Sequence, residues 1–258
     1  MKIERVDGLK FGRAYKVFLP DGPVFLPSVT TVLSVIPDPY LEMLRLELGD
    51  KLLEKKRNDG AARGSVMHRW LELFLDKYSQ CKDHEESLLY TQDQIIIDPM
   101  FEKWSKTYMD KGRNLFYNFY GKKFWKRIDK VLHNELFMYT QFRGGWAGAT
   151  DFIFEDTDGN LILQDFKSST LMKEKEKISK YFYQVAAYMF MYSEMYGRTP
   201  KRGEIVVSNE LNDEIQTFIV DASEMKGYIR TFIEARNEFE KIPEWQEFKE
   251  KNNTYAAV

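Results

Sequence analysis

The order of hydrophobic periods in the second half of the chain limits the possible folds most strongly. Residues 131–140, 146–155 and 161–167 read as strands, and the last two flank the turn-forming run Asp156-Thr157-Asp158-Gly159-Asn160. Residues 178–196 switch to a helical period. Residues 204–208 and 215–220 return to strands across the turn-like 209–213, residues 222–239 close with a helix, and Pro243 restarts a short amphipathic segment. Three strands, a helix, two strands and a helix predict an α/β or α+β domain.

The first half is an elaboration on that core. Residues 13–27 predict a hairpin turning at Pro20-Asp21-Gly22-Pro23, and Ser28 is placed to cap a short helix that Pro37-Asp38-Pro39 ends. Leu41, Leu44, Leu48 and Leu52 give helical spacing over 40–56, Asn58-Asp59-Gly60 reads as a break, and a second helix is predicted over 61–78. Residues 83–98 carry five acids and no Lys or Arg, which predicts a solvated connection. Residues 101–130 invert the sign, with nine Lys or Arg against three acids and nine aromatics, and read as mostly helical with a kink near Gly121. The expected organisation is 1–130 as an N-terminal hairpin and helical cap or arch and 131–258 as the core, in one compact unit.

Composition removes several function classes. Apolar residues make up 43% and charged residues 30% of 258, so the chain can bury a core and is neither disordered nor low-complexity. Its one cysteine, Cys81, rules out an internal disulfide framework and any cysteine-built zinc or iron–sulfur site. A net charge of −2 means that nucleic-acid binding would need a local basic patch. No apolar run is long enough to cross a bilayer and the first residues lack a signal core, so a soluble intracellular protein (host-cytoplasmic, if viral) without a membrane partner is expected. No Gly-x-x-x-x-Gly-Lys-Ser/Thr loop exists, which disfavours a nucleotide cofactor or triphosphatase chemistry.

The chemistry sits in Gly148-Ala149-Thr150-Asp151 and Asp165-Phe166-Lys167. Residues two apart on a strand share a face, so Asp165 and Lys167 project together, and Asp151 on the preceding strand can approach Asp165. Paired carboxylates repel and favour a cation between them, and hard oxygen donors select Mg²⁺ or Mn²⁺. A neighbouring lysine suits phosphodiester hydrolysis by positioning water or stabilising developing charge. Taken alone, the same residues also suit solvated acids at a hairpin rim with a surface Lys–Asp pair. Glu135 adds a third acid on an adjacent strand, Gln184 and Tyr188 share a helix face, and His68 lies upstream in Arg63-Gly64-Ser65-Val66-Met67-His68.

In this order Glu135, Gly148-x-x-Asp151, Asp165-x-Lys167 and Gln184-x-x-x-Tyr188, with His68 upstream, resemble the PD-(D/E)XK nuclease superfamily in its RecB-type branch. Residues 27–33, Pro-Ser-Val-Thr-Thr-Val-Leu, and Arg63-Gly64-x-x-x-His68 also look like the mitochondrial genome maintenance exonuclease group and its viral and bacterial relatives. The resemblance implies a restriction-endonuclease-like core, a mixed sheet flanked by helices. It implies metal ligation by His68, Asp151, Asp165 and the carbonyl of Phe166, with support from Glu135, water activation by Lys167, and DNA-backbone contacts from Gln184 and Tyr188. The single cysteine excludes the four-cysteine iron–sulfur cluster of some relatives.

The expected function is a Mg²⁺- or Mn²⁺-dependent deoxyribonuclease, an exonuclease acting on single-stranded DNA in replication, repair or recombination. The alternatives are a structure-specific endonuclease, a duplex-end recombination exonuclease, or a catalytically silent nucleic-acid-binding module. Lys122, Lys123, Phe124, Trp125, Lys126 and Arg127 are expected to track phosphates and stack on bases. Residues 204–258, with twelve acids against six bases, are expected to face away from nucleic acid or toward a protein partner.

Overall fold

The computed structural model describes residues 2–99, 102, 104–122 and 124–252, the side chain of Phe124 excepted. It is a mixed α/β structure. Strands β4 (Ile128–Thr140), β5 (Trp146–Asp156), β6 (Leu161–Ser169), β7 (Arg202–Asn209) and β8 (Ile215–Asp221) form one sheet in that order. All neighbours pair antiparallel except β6 and β7, which are parallel and joined through helix α5 (Ser179–Tyr196). A parallel pair cannot be closed by a tight turn, so the long helical segment between these strands is the crossover that the topology requires.

The sheet is buried on both faces because its strands alternate two apolar sets. Ile153, Leu161, Leu163, Ile205 and Val207 pack with α5 and with helix α6 (Ala222–Phe239). Phe152, Phe154, Ile162, Phe166 and Val206 pack with two N-terminal helices, numbered α2 (Pro39–Cys81) and α4 (Lys106–Gly121) because the short α1 (Val29–Val32) and α3 (His84–Ile97) precede them in turn. Gly112 permits the α2–α4 approach, since a Cβ there would lie 2.4 Å from Val66 Cβ.

Three expectations about the first half are corrected. Before the hairpin strands β2 (Gly12–Leu19) and β3 (Gly22–Pro27) lies a further strand, β1 (Ile3–Leu9), so the elaboration begins with a three-stranded antiparallel sheet. Helix α2 runs through Asn58-Asp59-Gly60 and departs from helical geometry at Gly49 instead (φ 72°, ψ 159°). Tertiary contacts hold the helix at that point, where Asp59 accepts the Tyr108 hydroxyl. Residues 83–98 are not a solvated connection but α3, capped by Asp83, whose carboxylate accepts Glu86 N–H at 2.8 Å. Its buried stripe is Ser87, Thr91 and Ile95, four residues apart, and hydropathy reads two of these as polar.

One buried charge joins the C-terminal helices to the sheet. Arg236 on α6 is 2% exposed and donates to the carbonyls of Gly145 (2.8 Å) and Gly144 (2.7 Å) in the β4–β5 connection. Its Nη1 donates to Glu240 at 2.6 Å. Glu240 also accepts Trp245 Nε1 (3.0 Å), Gln246 and Lys249 from helix α7 (Pro243–Asn252). Burial alone would raise the Glu240 pKa, but these donors hold it down at about 2. A folded-state pKa below the unfolded value stabilises the fold above about pH 4.5, and that contribution is lost as pH falls from 4.5 toward 2. Since Glu240 is 33% exposed, screening reduces its worth to about 1–2 kcal/mol. Glu240→Gln is expected to lower Tm at neutral pH by about 2–6 °C and to flatten the acid limb in that window, measured by thermal melts from pH 7 to 2.

Candidate active site

The site lies where the β5–β6 ladder ends. The last bridged pair is Phe152 with Gln164, after which the strands part. At that fork Asp151 Oδ2 accepts the backbone N–H of Phe166 at 2.6 Å, so a side chain takes the place of the missing ladder bond. Continuing the register puts Asp165 opposite Asp151, and the β4–β5 register puts Glu135 on the other side of Asp151, between the pairs Asn134–Phe152 and Leu136–Thr150. Three acids therefore form a row across three strands. Glu135 takes a left-handed backbone conformation (φ 53°), a costly one for a non-glycine residue in a strand and of a kind that clusters at functional sites.

Asp165 and Lys167 are in phase with Leu161 and Leu163, toward α5. Asp165 is 2% exposed, and its Oδ2 forms an ion pair with Lys167 Nζ while lacking a well-directed hydrogen bond. Burial raises the Asp165 pKa; Lys167 opposes this and the Asp151 charge adds to it. Burial would lower the Lys167 pKa, but Asp165 and Asp151 raise it, so the ammonium stays charged. Asp151 goes the other way: burial is outweighed by His68, Lys167 and the Phe166 N–H, and it is held ionised.

Helix α2 brings His68 to this row through the motif in which it was found. Arg63 Nη2 donates to Thr170 Oγ1 at 2.8 Å just beyond β6, and Arg63 pairs with Glu210 at 3.4 Å. Gly64 lets the helix lie against β6, since a Cβ there would stand 3.1 Å from Ser168 Oγ. One turn later His68 Nδ1 lies 3.4 Å from Asp151 Oδ1, with the ring 38% exposed. Burial would lower the His68 pKa, and the Asp151 carboxylate reverses that and raises it.

From α5, Gln184 Nε2 donates to the Tyr188 hydroxyl at 2.9 Å, and both side chains are buried. The Tyr188 ring rests on Gly148, where a Cβ would lie 2.8 Å from its Cε1. Burial and the Asp165 charge push the Tyr188 hydroxyl pKa well up, so it remains neutral.

Two cavities meet at the fork, of about 560 Å³ on the α2 side and about 200 Å³ on the α5 side. Asp151, Glu135 and Lys167 line both. His68 and Phe166 line the first, and Asp165, Gln184 and Tyr188 the second. Desolvation, then the charges of Glu72 and Asp151, raise the Glu135 pKa. Arg5 and Arg13, which lie outside every motif, also line both cavities.

The donor set suits a hard divalent cation. Among the described residues no group of three or more His, Cys, Asp or Glu side chains converges into a protein-only metal cage. Mg²⁺ does not require one: it keeps several waters and binds through one or two carboxylates together with substrate phosphates. Asp151, held ionised, and the poorly satisfied buried Oδ2 of Asp165 match that requirement.

Of the basic segment, Lys122, Trp125, Lys126 and Arg127 do not line either cavity. Trp125 is 3% exposed, packs 4.5 Å from Phe74 and 5.9 Å from Tyr120 between ring centroids, and donates Nε1–H to the Tyr120 carbonyl. Arg127 makes a two-pronged contact with the buried Glu204, one bond at 2.9 Å. The expected stacking by Trp125 and phosphate contact by Arg127 are thus corrected: Trp125 is packed in the core and Arg127 is engaged by Glu204. Lys122 and Lys126 are exposed, while Lys123 and the Phe124 side chain lie outside the described residues.

A family model described as the PD-(D/E)XK nuclease superfamily matches residues 41–254. Among solved structures, a provisionally named exonuclease from Eubacterium rectale is similar at 13% identity and TM-score 0.44, over 60% of this chain and 61% of that one. The protein SSO0001 is similar at 15% identity and TM-score 0.34, over 68% of this chain and 72% of that one. The chain thus spans about three fifths of the length of the first. No curated protein matches the chain.

Gly148→Ala places a methyl against Tyr188 and, at 3.3 Å, Val29 Cγ2. Overpacking of this kind costs about 1–3 kcal/mol. The variant is expected to melt lower and to lose activity, and Gly148→Ala/Tyr188→Leu to recover part of the stability, as a double-mutant cycle of Tm values would record.

Proposed function

This chain belongs to the PD-(D/E)XK nuclease superfamily, and from that premise we propose that it is a Mg²⁺- or Mn²⁺-dependent exonuclease acting on single-stranded DNA. The observation that carries the reading is the row Glu135–Asp151–Asp165 with Lys167 beside it, opening on one cleft. Asp151 and Asp165 would hold the divalent cation, with His68, the Phe166 carbonyl and Glu135 as candidate supporting donors. A cation so held supplies charge stabilisation for the phosphoryl oxygens and a more acidic water.

The chain's own groups divide the remaining work. Lys167, aligned by its ion pair with Asp165, fixes the attacking water and meets charge developing on the phosphate. Asp165 fixes the ammonium, and Asp151, anchored on the Phe166 N–H, keeps its own position while the strand enters. Gln184 and Tyr188 position the buried end of the row rather than gripping the strand, since both are enclosed and bonded to each other. Helix α2, which walls the larger cavity, is the element that would favour passage of a single strand. Within the acidic stretch 204–258, the exposed Glu224, Glu234, Glu238 and Glu244 are a candidate surface for a protein partner, whereas Glu204 is buried. Among the described residues no helix is long and apolar enough to cross a membrane.

Digestion of 5′- and 3′-labelled linear single strands, linear duplex and circular single strands tests this reading. Linear single strands are expected to be shortened from an end in Mg²⁺ or Mn²⁺ and to survive in chelator. Cleavage of circles would instead select the endonuclease alternative. Asp151→Asn, Asp165→Asn and Lys167→Ala are each expected to lower turnover by at least ~100-fold, with Lys167→Ala still binding the strand. Near-normal turnover in Lys167→Ala would leave that residue only the structural partner of the buried Asp165.

A further inference from the structure

The segment Ser28-Val29-Thr30-Thr31 has no part in the catalysis described above, yet it is built around one residue of β2. The Thr31 hydroxyl donates to the carbonyl of Arg13 at 2.9 Å and accepts its N–H at 2.8 Å, while the Ser28 N–H donates to the same carbonyl at 3.0 Å. Ser28 Oγ in turn donates to Thr31 Oγ1 at 2.9 Å. The approach is close enough to require glycine next door, since a Cβ on Gly12 (φ 121°) would stand 2.7 Å from Thr31 Oγ1. All of this clamps the backbone of Arg13.

The side chain so placed works with a second arginine. Asp7 Oδ1 contacts Arg13 Nε at 2.8 Å and Asp7 Oδ2 contacts Arg5 Nε at 2.6 Å, so one carboxylate bridges two guanidinium groups. Both contacts use Nε, and Arg13 also hydrogen-bonds the Tyr15 side chain. Two cations on one anion leave a net charge of +1. Arg5 is 49% and Arg13 36% exposed, and both line the two cavities that contain Asp151 and Lys167. By contrast, Arg69 in the larger cavity is already paired with Glu72 and Asp98.

We infer that Arg5 and Arg13, bridged by Asp7 and clamped by the Ser28–Thr31 segment, form a phosphate-binding subsite that holds the nucleic-acid strand beside the cut. Guanidinium groups present planar, paired donors that match phosphate oxygens, and one carboxylate holding two of them spares part of the entropy of ordering each. Beside His68, Arg69 and Lys167, each already paired with a carboxylate, the larger cavity gathers Glu135, Asp151 and Glu72, which repel a polyanion, so a further cationic element is what lets a strand settle there. The inference rests on the nucleic-acid reading of the same site. The phosphate is either an internal diester or a terminal monoester of the strand.

The test is binding of a fluorescein-labelled single-stranded oligonucleotide in chelator, read by anisotropy across a salt series, which does not depend on hydrolysis. Arg5→Gln/Arg13→Gln is expected to weaken binding about tenfold and to flatten the slope of log K against log salt by about 1, with Tm essentially unchanged. Arg5→Gln alone, at an exposed position, should show about half of the slope change and covers the case in which the double variant misfolds. Arg5→Lys/Arg13→Lys should keep the slope. Equal loss on circular and linear strands assigns the site to an internal diester. Loss confined to 5′- or 3′-phosphorylated ends assigns it to a terminal monoester. Wild-type affinity and slope in the folded glutamine variants would overturn the inference, even if the protein cuts DNA. Normal binding losses in a protein that cuts nothing would instead overturn the nuclease reading.

Discussion

The bond from the Phe166 N–H to Asp151 is the contact on which the rest of the site depends. A sheet that opens a fork leaves backbone groups without partners, and an unpaired buried N–H costs about 1–3 kcal/mol. Asp151 Oδ2 satisfies the first of them at 2.6 Å. That single contact stabilises the opening of β5 from β6, fixes one carboxylate at the gap, and leaves Oδ1 directed to His68. The gap lets residues on opposite faces of the sheet share one place, His68 from α2 on one side and Gln184 and Tyr188 from α5 on the other.

Enclosing charge at that gap is expensive, and the surrounding residues show how the cost is limited. Asp165 and Lys167 neutralise one another, and removing one partner of a buried pair of this type costs about 3–5 kcal/mol. The pKa of Asp151 is depressed and that of Asp165 raised, although they are neighbours across the fork. The difference follows from donors: Asp151 has His68 and a backbone amide, whereas Asp165 is enclosed next to Asp151 with Lys167 as its main compensation. Two carboxylates separated in this way form an asymmetric pair, one held toward its charged form and one pushed toward its neutral form.

Much of this arrangement was legible in the sequence, because strands in a buried sheet obey a strict two-residue period. The five sheet strands, α5 and α6 were located within a few residues, and Asp165-x-Lys167 on one face follows from that period. The N-terminal half was harder for identifiable reasons. Strand β1 has apolar residues only at Ile3, Val6 and Leu9, three apart, with Glu4, Arg5 and Asp7 between them, and without a two-residue period this reads as irregular chain. Helix α3 buries Ser87 and Thr91 rather than leucines. Asn58-Asp59-Gly60 carries a break signal that contacts from α4 override. Trp125 and Arg127 look like a strand-binding surface in sequence, and only the structure shows Trp125 packed on Phe74 and Arg127 engaged by the buried Glu204. Arg5 and Arg13 had no motif signal at all, because their relation to Asp151 arises from a separate sheet folding over the cleft.

The central claim is that the fork at Asp151 and Asp165 is a divalent-cation site assembled from a structural hydrogen bond. Titration of Mn²⁺ into the protein without nucleic acid, followed by calorimetry, tests it most directly. The account predicts saturable binding in the wild type that Asp151→Asn abolishes or weakens at least ~10-fold, in a variant whose far-ultraviolet circular dichroism matches the wild type. Saturable binding of unchanged affinity in Asp151→Asn would contradict it.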